Sequence, residues 1–158
     1  MKEYSFGGAR ALVALHNQHM HSFLQTWQNA KKAGVTLPQT TDPSYKSMET
    51  LLRHSLKASR GYITWICQKL ELPDPGVDPL PELENIEQAA EAFLAHLLER
   101  WDLPLRNVPE ERFFEHTYKS NWDVEYCIEA MLEHAVMHPI RHEFQLVNLM
   151  TSLEGKKK

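Results

Sequence analysis

Three histidines near the C-terminus stand four residues apart, at His134, His138 and His142. In an α-helix this spacing places side chains on one face, one turn above another. Two imidazoles one helical turn apart are close enough to share a metal ion, as they do in helical zinc sites. The spacing therefore predicts a metal-binding helix in this part of the chain.

The residues between His138 and His142 argue against one class of zinc enzyme. They are Pro139, Ile140 and Arg141, so the glutamate that serves as general base in HExxH zinc proteases is absent. The pattern argues against a protease of that class.

A third ligand would have to come from another helix, and His54 is the only histidine of the second helical segment. On a helical wheel His138 and His142 fall inside the apolar stripe of the last segment, and His54 falls at the edge of its own. An inward-facing imidazole without a partner costs roughly 1–3 kcal/mol. We therefore predict that His54, His138 and His142 bind a divalent metal ion and leave one coordination position open, which is typical of catalytic sites.

The other six of the nine histidines receive different predictions. His16 and His134 lie at interior positions, where they would pack or support a ligand, and His134 is also a candidate fourth ligand. The remaining four are predicted at the surface: His19, His21, His96 and His116.

Aromatic and basic residues complete the predicted site. The expected pocket wall consists of Tyr62, Trp65 and Trp122, together with the face of the first helix that carries His16 and Trp27. Arg53 and Arg141 are candidates for holding an anionic substrate, with a solvated surface position as the alternative for each.

Four segments carry helical periodicity, and none shows the alternation of a strand. They span about 8–32, 42–70, 83–101 and 120–153. Asp42 and Pro43 predict the start of the second helix, where Asp42 caps it and Pro43 takes the first helical position. Ser120 and Asp123 resemble a capping box at the start of the fourth helix. In the fourth segment we expect Val124 on the apolar face and Glu143 on the solvated one. The pattern predicts an all-α fold, a four-helix bundle with long connections at about 71–82 and 102–119.

Composition fits one domain over residues 1–158, with a frayed tail at about 154–158. Hydrophobic residues make up 42% of the chain, and the net charge of −4 disfavours a nucleic-acid binder. With no long apolar run and no apolar leader, we expect a cytoplasmic protein that does not bind membranes. The two cysteines, Cys67 and Cys127, lie too far apart in sequence to suggest a thiolate zinc site.

The placement of His54, followed by His138, His142 and Gln145 on the last helix, resembles the DinB-like (YfiT-like) superfamily of metal-binding four-helix bundles. The resemblance covers nearly the whole chain, including its size and its four long helices. Members commonly carry Arg-Gly before the glutamine, where this chain has Glu143 and Phe144.

The resemblance implies an up-down-down-up bundle and a zinc or nickel ion on the three histidines. It also implies frequent homodimers. Characterised relatives include thiol-dependent S-transferases, a maleylpyruvate isomerase and metal-dependent hydrolases. We therefore expect a metalloenzyme that acts on a small molecule, with a low-molecular-weight thiol as a possible cofactor. Two alternatives stay open: a non-catalytic metal-binding stress-response bundle, and a helical dimer without metal.

Overall fold

The computed structural model describes residues 3–156 and confirms the all-α class. Within that range the α-helices are α1 (Gly7–Lys32), α2 (Met48–Lys69), α3 (Ile86–Trp101) and α4 (Ile128–Gly155). Three short 3-10 helices lie in the connections, at Pro43–Tyr45, Leu83–Asn85 and Glu110–Phe113. Two short strands, β1 (Tyr118–Lys119) and β2 (Glu125–Tyr126), pair antiparallel just before α4. No strand pair was expected, because two residues are too few to show alternation.

The apolar faces of the four helices share one core. Helix α1 packs along α4, and α2 lies against both α3 and α4. The largest fully buried side chains include Trp27 and Trp101, whose indole N–H groups donate to backbone carbonyls of Met48 and Ser59. A buried indole that keeps its hydrogen bond adds apolar burial without a desolvation penalty. None of the helices within residues 3–156 is both long enough and apolar enough to span a membrane.

The second and third helices begin later than predicted. Asp42 does act as a cap, but its carboxylate accepts from the Ser44 backbone N–H and closes only the 3-10 turn at Pro43–Tyr45. The α-helix starts at Met48, where the Ser47 hydroxyl accepts from the Thr50 N–H at 3.0 Å. Likewise, the predicted start of α3 at 83 is a 3-10 turn, and the α-helix begins at Ile86.

The predicted start of the fourth helix near Ser120 is wrong. The Ser120 hydroxyl accepts from the Val124 N–H, and Asp123 adopts a left-handed backbone with φ of 64°. This conformation cannot continue a right-handed helix, and Asp tolerates it better than most residues do. Residues 120–124 therefore turn the chain between β1 and β2. Val124, expected on the apolar face of the helix, is 47% exposed in this turn.

The end of the fourth helix also differs from expectation. Helix α4 continues to Gly155, beyond the predicted end near 153, so the first residues of the expected frayed tail are helical. Residues 157 and 158 of that tail lie outside the described residues.

Arginines of α2 hold the connection between α2 and α3 in place. Arg60 donates to the carbonyls of Asp78 and Val77, and the Arg53 Nε donates to the Pro81 carbonyl at 3.0 Å. The connection therefore lies along α2 between Arg53 and Arg60, beside the segment that carries His54.

Glu143 does not lie on a solvated face as predicted. Its Oε1 accepts from the Ser22 hydroxyl at 2.5 Å and from the Thr26 hydroxyl at 2.9 Å, both on α1. The side chain is half-buried, and its two hydrogen bonds fix α4 against α1.

Candidate metal centre

His54, His138 and His142 meet where α2 packs against α4. One ligating nitrogen from each of them lies within 4.8 Å of the others. The Nε2 atoms of His54 and His138 are 3.1 Å apart, and the rings of His138 and His142 are 4.7 Å apart between centroids. The helical repeat supplies two of the imidazoles and the packing of α2 supplies the third. The structure thus brings together the three residues predicted as ligands.

Burial keeps these imidazoles neutral. His138 is 6% exposed and His142 is 2% exposed, whereas His54 is half-buried. Desolvation, reinforced by the neighbouring imidazoles, lowers the pKa of His138 to about 2 and that of His142 to about 4. Burial also lowers the pKa of His54. Neutral imidazole is the form that binds a metal ion, so the site needs no deprotonation near pH 7.

The two ring nitrogens of His142 have opposite surroundings. Its Nδ1 lies 3.1 Å from the Gln145 Oε1 and 3.2 Å from the Tyr45 hydroxyl. The Tyr45 hydroxyl also donates to Gln145. Since an amide oxygen only accepts, Nδ1 carries the proton and Nε2 carries the lone pair.

The lone pair of the His142 Nε2 is buried and has no hydrogen-bond partner within residues 3–156. An unpartnered buried nitrogen costs free energy unless something satisfies it. A cation held between the three imidazoles would accept this lone pair, so the donor set fits a divalent metal. Tri-imidazole ligation with a free fourth position suits zinc and nickel.

His134 and His16 lie outside this group. The His134 ring is surrounded by aromatic rings, with Trp122 stacked at 5.3 Å and Tyr62 and Tyr126 edge-on at 5.5 and 5.6 Å. His16 lies in the core beside Ser59. Neither is among the three histidines that converge.

The histidines predicted at the surface divide into two pairs. His21 and His116 are exposed, as expected. His19 and His96 are instead partly buried, and the His96 Nε2 accepts from the Asp78 backbone N–H at 3.0 Å.

A cavity of about 360 Å³ adjoins the centre, and His54 and His138 form part of its wall. Tyr62, Trp65 and Trp122 line it, as predicted. Trp27 and His16, the other predicted wall residues, are each 1% exposed and lie in the core, because their helix face packs against neighbouring helices. We name this space, defined by Tyr62, Trp65 and Trp122, the aromatic cavity.

Two further clefts adjoin the same histidines. His54 lines a cleft of about 330 Å³ with Arg53, and His138 lines one of about 430 Å³ with Arg141. Both arginines predicted as anion contacts therefore lie near the centre. The Arg53 Nε is engaged by the Pro81 carbonyl, whereas Arg141 is exposed.

Sequence reasoning did not find Tyr45. It lies in the 3-10 turn that precedes α2, about a hundred residues from its partners on α4, so no local pattern connects them. Gln145, one helical turn after His142, was noted only through the resemblance. Its position three residues beyond a predicted ligand was the local signal that could have assigned its role.

Comparisons with protein-family models, with curated proteins and with solved structures found no match. The function is therefore inferred from the residues of the site.

Proposed function

We propose that this protein is a metal-dependent enzyme whose His54, His138 and His142 hold a divalent ion, zinc or nickel. The observation that carries the proposal is the buried, unpartnered Nε2 of His142, together with the convergence of one nitrogen from each histidine within 4.8 Å. The substrate is a small molecule, which reaches the centre through the aromatic cavity.

The chain's own residues give the centre its chemical character. Burial holds the three imidazoles neutral, and Gln145 fixes the proton of His142 on the outward nitrogen. When bound, the ion supplies Lewis acidity that lowers the pKa of a water or thiol in the open position. A substrate seated against the aromatic wall would displace water from that side of the centre, which would strengthen electrostatic effects there.

Thiol transfer is favoured over hydrolysis. No carboxylate lines the aromatic cavity within residues 3–156. The cleft on the other side of His54 contains Asp42, but the backbone N–H and the hydroxyl of Ser44 both donate to its Oδ1. These hydrogen bonds lower the pKa of the Asp42 carboxyl and make it a weaker base. A hydrolase would profit from a free general base, whereas a thiol activated by a metal needs none. A low-molecular-weight thiol is therefore the proposed cofactor.

Metal analysis of the purified protein tests the first part of the proposal. We expect about one equivalent of metal in the wild type after loading and desalting, and its loss in His54→Ala, because two imidazoles hold a divalent ion far more weakly than three. His134→Ala is the matched control and should keep its metal. Less than about a tenth of an equivalent in the wild type would refute both metal-dependent functions.

A screen of thiols against small electrophiles tests the second part. Turnover that requires both metal and His54 supports the transferase. Full metal binding without any turnover would instead favour a non-catalytic metal-binding bundle with a role in stress response.

The family and assembly are also part of the proposal. The His54, His138, His142 and Gln145 pattern supports membership of the DinB-like superfamily, with four helices arranged as an up-down-down-up bundle. A homodimer and a cytoplasmic location go with it as expectations.

A further inference from the structure

The aromatic cavity carries information about the substrate. Its volume of about 360 Å³ lies in the range of small-molecule sites, roughly 300–1,000 Å³. Two of its wall residues, His54 and His138, are proposed metal ligands, so a molecule inside it would be next to the centre.

The tryptophans of this cavity present apolar ring surface. The Trp65 N–H donates to the Lys119 carbonyl at 3.2 Å, and the Trp122 N–H donates to the Tyr126 hydroxyl at 3.3 Å. With their only donors engaged, both rings offer carbon surface to a ligand. Trp122 is 44% exposed, and the Tyr62 ring stands edge-on to it at 6.3 Å. Such a wall favours a planar ring, which packs face-on or edge-on against aromatic side chains.

Gly61 leaves space in the cavity for a ligand. It lies within α2 and lines the cavity, and a Cβ placed on it would have no neighbouring heavy atom within 4 Å. Glycine within a helix is destabilising, and here no steric conflict requires it. A larger side chain at this position would instead occupy the space that a ligand needs.

Charge further narrows the ligand class. Lys57 is the only formally charged residue in the cavity wall within the described range, and it makes no ion pair there. Lys57 also lines the cleft that contains Asp42, but it forms no ion pair with that carboxylate, so its charge favours a negatively charged ligand in the cavity. A divalent ion at the adjacent centre would add to the same preference.

We propose that the aromatic cavity binds the planar ring of a small aromatic anion, such as an aromatic carboxylate, and holds it beside the metal centre. This inference rests on the proposed function for the metal, and it adds the class of substrate.

The inference is tested by titrating 2-naphthoate into the zinc-loaded protein and measuring its affinity by calorimetry. We expect saturable binding to the wild type and binding at least about ten-fold weaker for decahydro-2-naphthoate, which has the same charge and carbon skeleton but no flat ring. Gly61→Leu should weaken 2-naphthoate binding at least about ten-fold by filling the cavity, and Trp122→Ala should do the same by removing wall surface. Gly61→Leu should fold, since leucine is the better helix former and the space is open.

Two matched comparisons complete the design. Lys57→Gln should weaken 2-naphthoate by about three-fold or more and leave the neutral 2-naphthalenemethanol unchanged. Phe144→Ala removes an exposed aromatic ring outside the aromatic cavity and should change the affinity of neither compound. Absence of 2-naphthoate binding, equal binding of the saturated acid, or full binding by Gly61→Leu would each overturn the inference.

Metal content, measured on the same samples, separates this inference from the proposed function. If zinc binds but the ring is not discriminated, the inference fails and the metal centre stands. If zinc does not bind but 2-naphthoate does, with the same dependence on Gly61 and Trp122, the metal proposal fails and the cavity assignment stands.

Discussion

At the scale of single residues, the orientation of His142 depends on two side chains that do not face the centre. Gln145 accepts from its Nδ1–H, and the Tyr45 hydroxyl lies beside both. Partners of this kind fix the ring and raise the basicity of the ligating nitrogen. Gln145 is thus a positioning residue for the predicted ligand.

Replacing Gln145 by leucine should weaken zinc affinity by about 10–100-fold, because the Nδ1–H loses its acceptor and the ring is free to turn. Competition with a chromophoric chelator measures this change. Gln25→Leu, at an exposed position on α1, is the matched control. Unchanged affinity in Gln145→Leu, or a loss explained by unfolding of the metal-free variant, would contradict the positioning role.

His16 belongs to a separate buried network. Its ring stacks on Trp101 at 3.8 Å, and its Nε2 lies 3.0 Å from the Ser59 hydroxyl. The His16 Nδ1 lies 3.3 Å from the Asn17 Oδ1, which only accepts, so Nδ1 carries the ring proton and Nε2 accepts from the Ser59 hydroxyl. Burial lowers the pKa of His16 from 6.5 to about 4, so the folded protein keeps this ring neutral where the unfolded chain would be protonated.

This difference predicts a pH-dependent stability. Between pH 6.5 and about 4 the unfolded state binds more protons at this site, so the free energy of unfolding falls as pH falls through that window. The contribution of His16 is about 3 kcal/mol. In chemical denaturation without metal, the free energy of unfolding of His16→Gln should therefore fall less than that of the wild type between pH 6.5 and about 4. The other histidines are the same in both proteins and do not contribute to the difference. If the free energy of unfolding fell equally with pH in both proteins, the prediction would be contradicted.

At the scale of elements, the hairpin of β1 and β2 decides where α4 begins. The hairpin includes residues that the helical periodicity assigns to the fourth helix, and it places Trp122 against His134. Helix α4 then starts after Cys127, whose Sγ accepts from the Ala130 N–H at 3.4 Å. Sulfur is a weak acceptor, so this cap is weaker than the serine cap of α2.

Cys127→Ser should raise the free energy of unfolding by about 0.5–1 kcal/mol, because a hydroxyl oxygen caps the helix better than a thiol. Denaturant titration measures the gain. The matched control is Cys67→Ser, which puts a hydroxyl at a 1% exposed position in the core of α2 and should destabilise the protein. A loss of stability in Cys127→Ser would show that the thiol contributes through packing.

At the scale of the whole molecule, the histidine cluster joins α2 to α4, while Glu143 joins α4 to α1. A ligand that binds only the folded chain stabilises it in proportion to the logarithm of its concentration. Zinc at about a hundred times its Kd should therefore raise the free energy of unfolding by about 2.7 kcal/mol.

Denaturation with and without zinc measures this gain, and His54→Ala should show almost none of it. An equal gain in both proteins would place the stabilising ion elsewhere.

The amino-acid sequence alone supports the all-α class, the core faces of the helices and the choice of His54, His138 and His142. These follow from helical periodicity, which is local: residues four apart share a face wherever the helix packs. The same local reasoning failed at Ser120 and Asp123, because a capping pattern and a tight turn use the same residue types. It also failed at Glu143, whose partners on α1 lie more than a hundred residues away.

Only the tertiary structure decided that the His54 nitrogen meets those of α4, that Tyr45 reaches His142 and Gln145, and that the cavity beside His54 is walled by three aromatic rings. Each of these features joins segments far apart in the chain. Their distances depend on how whole helices and connections pack, and no spacing along the sequence encodes that packing.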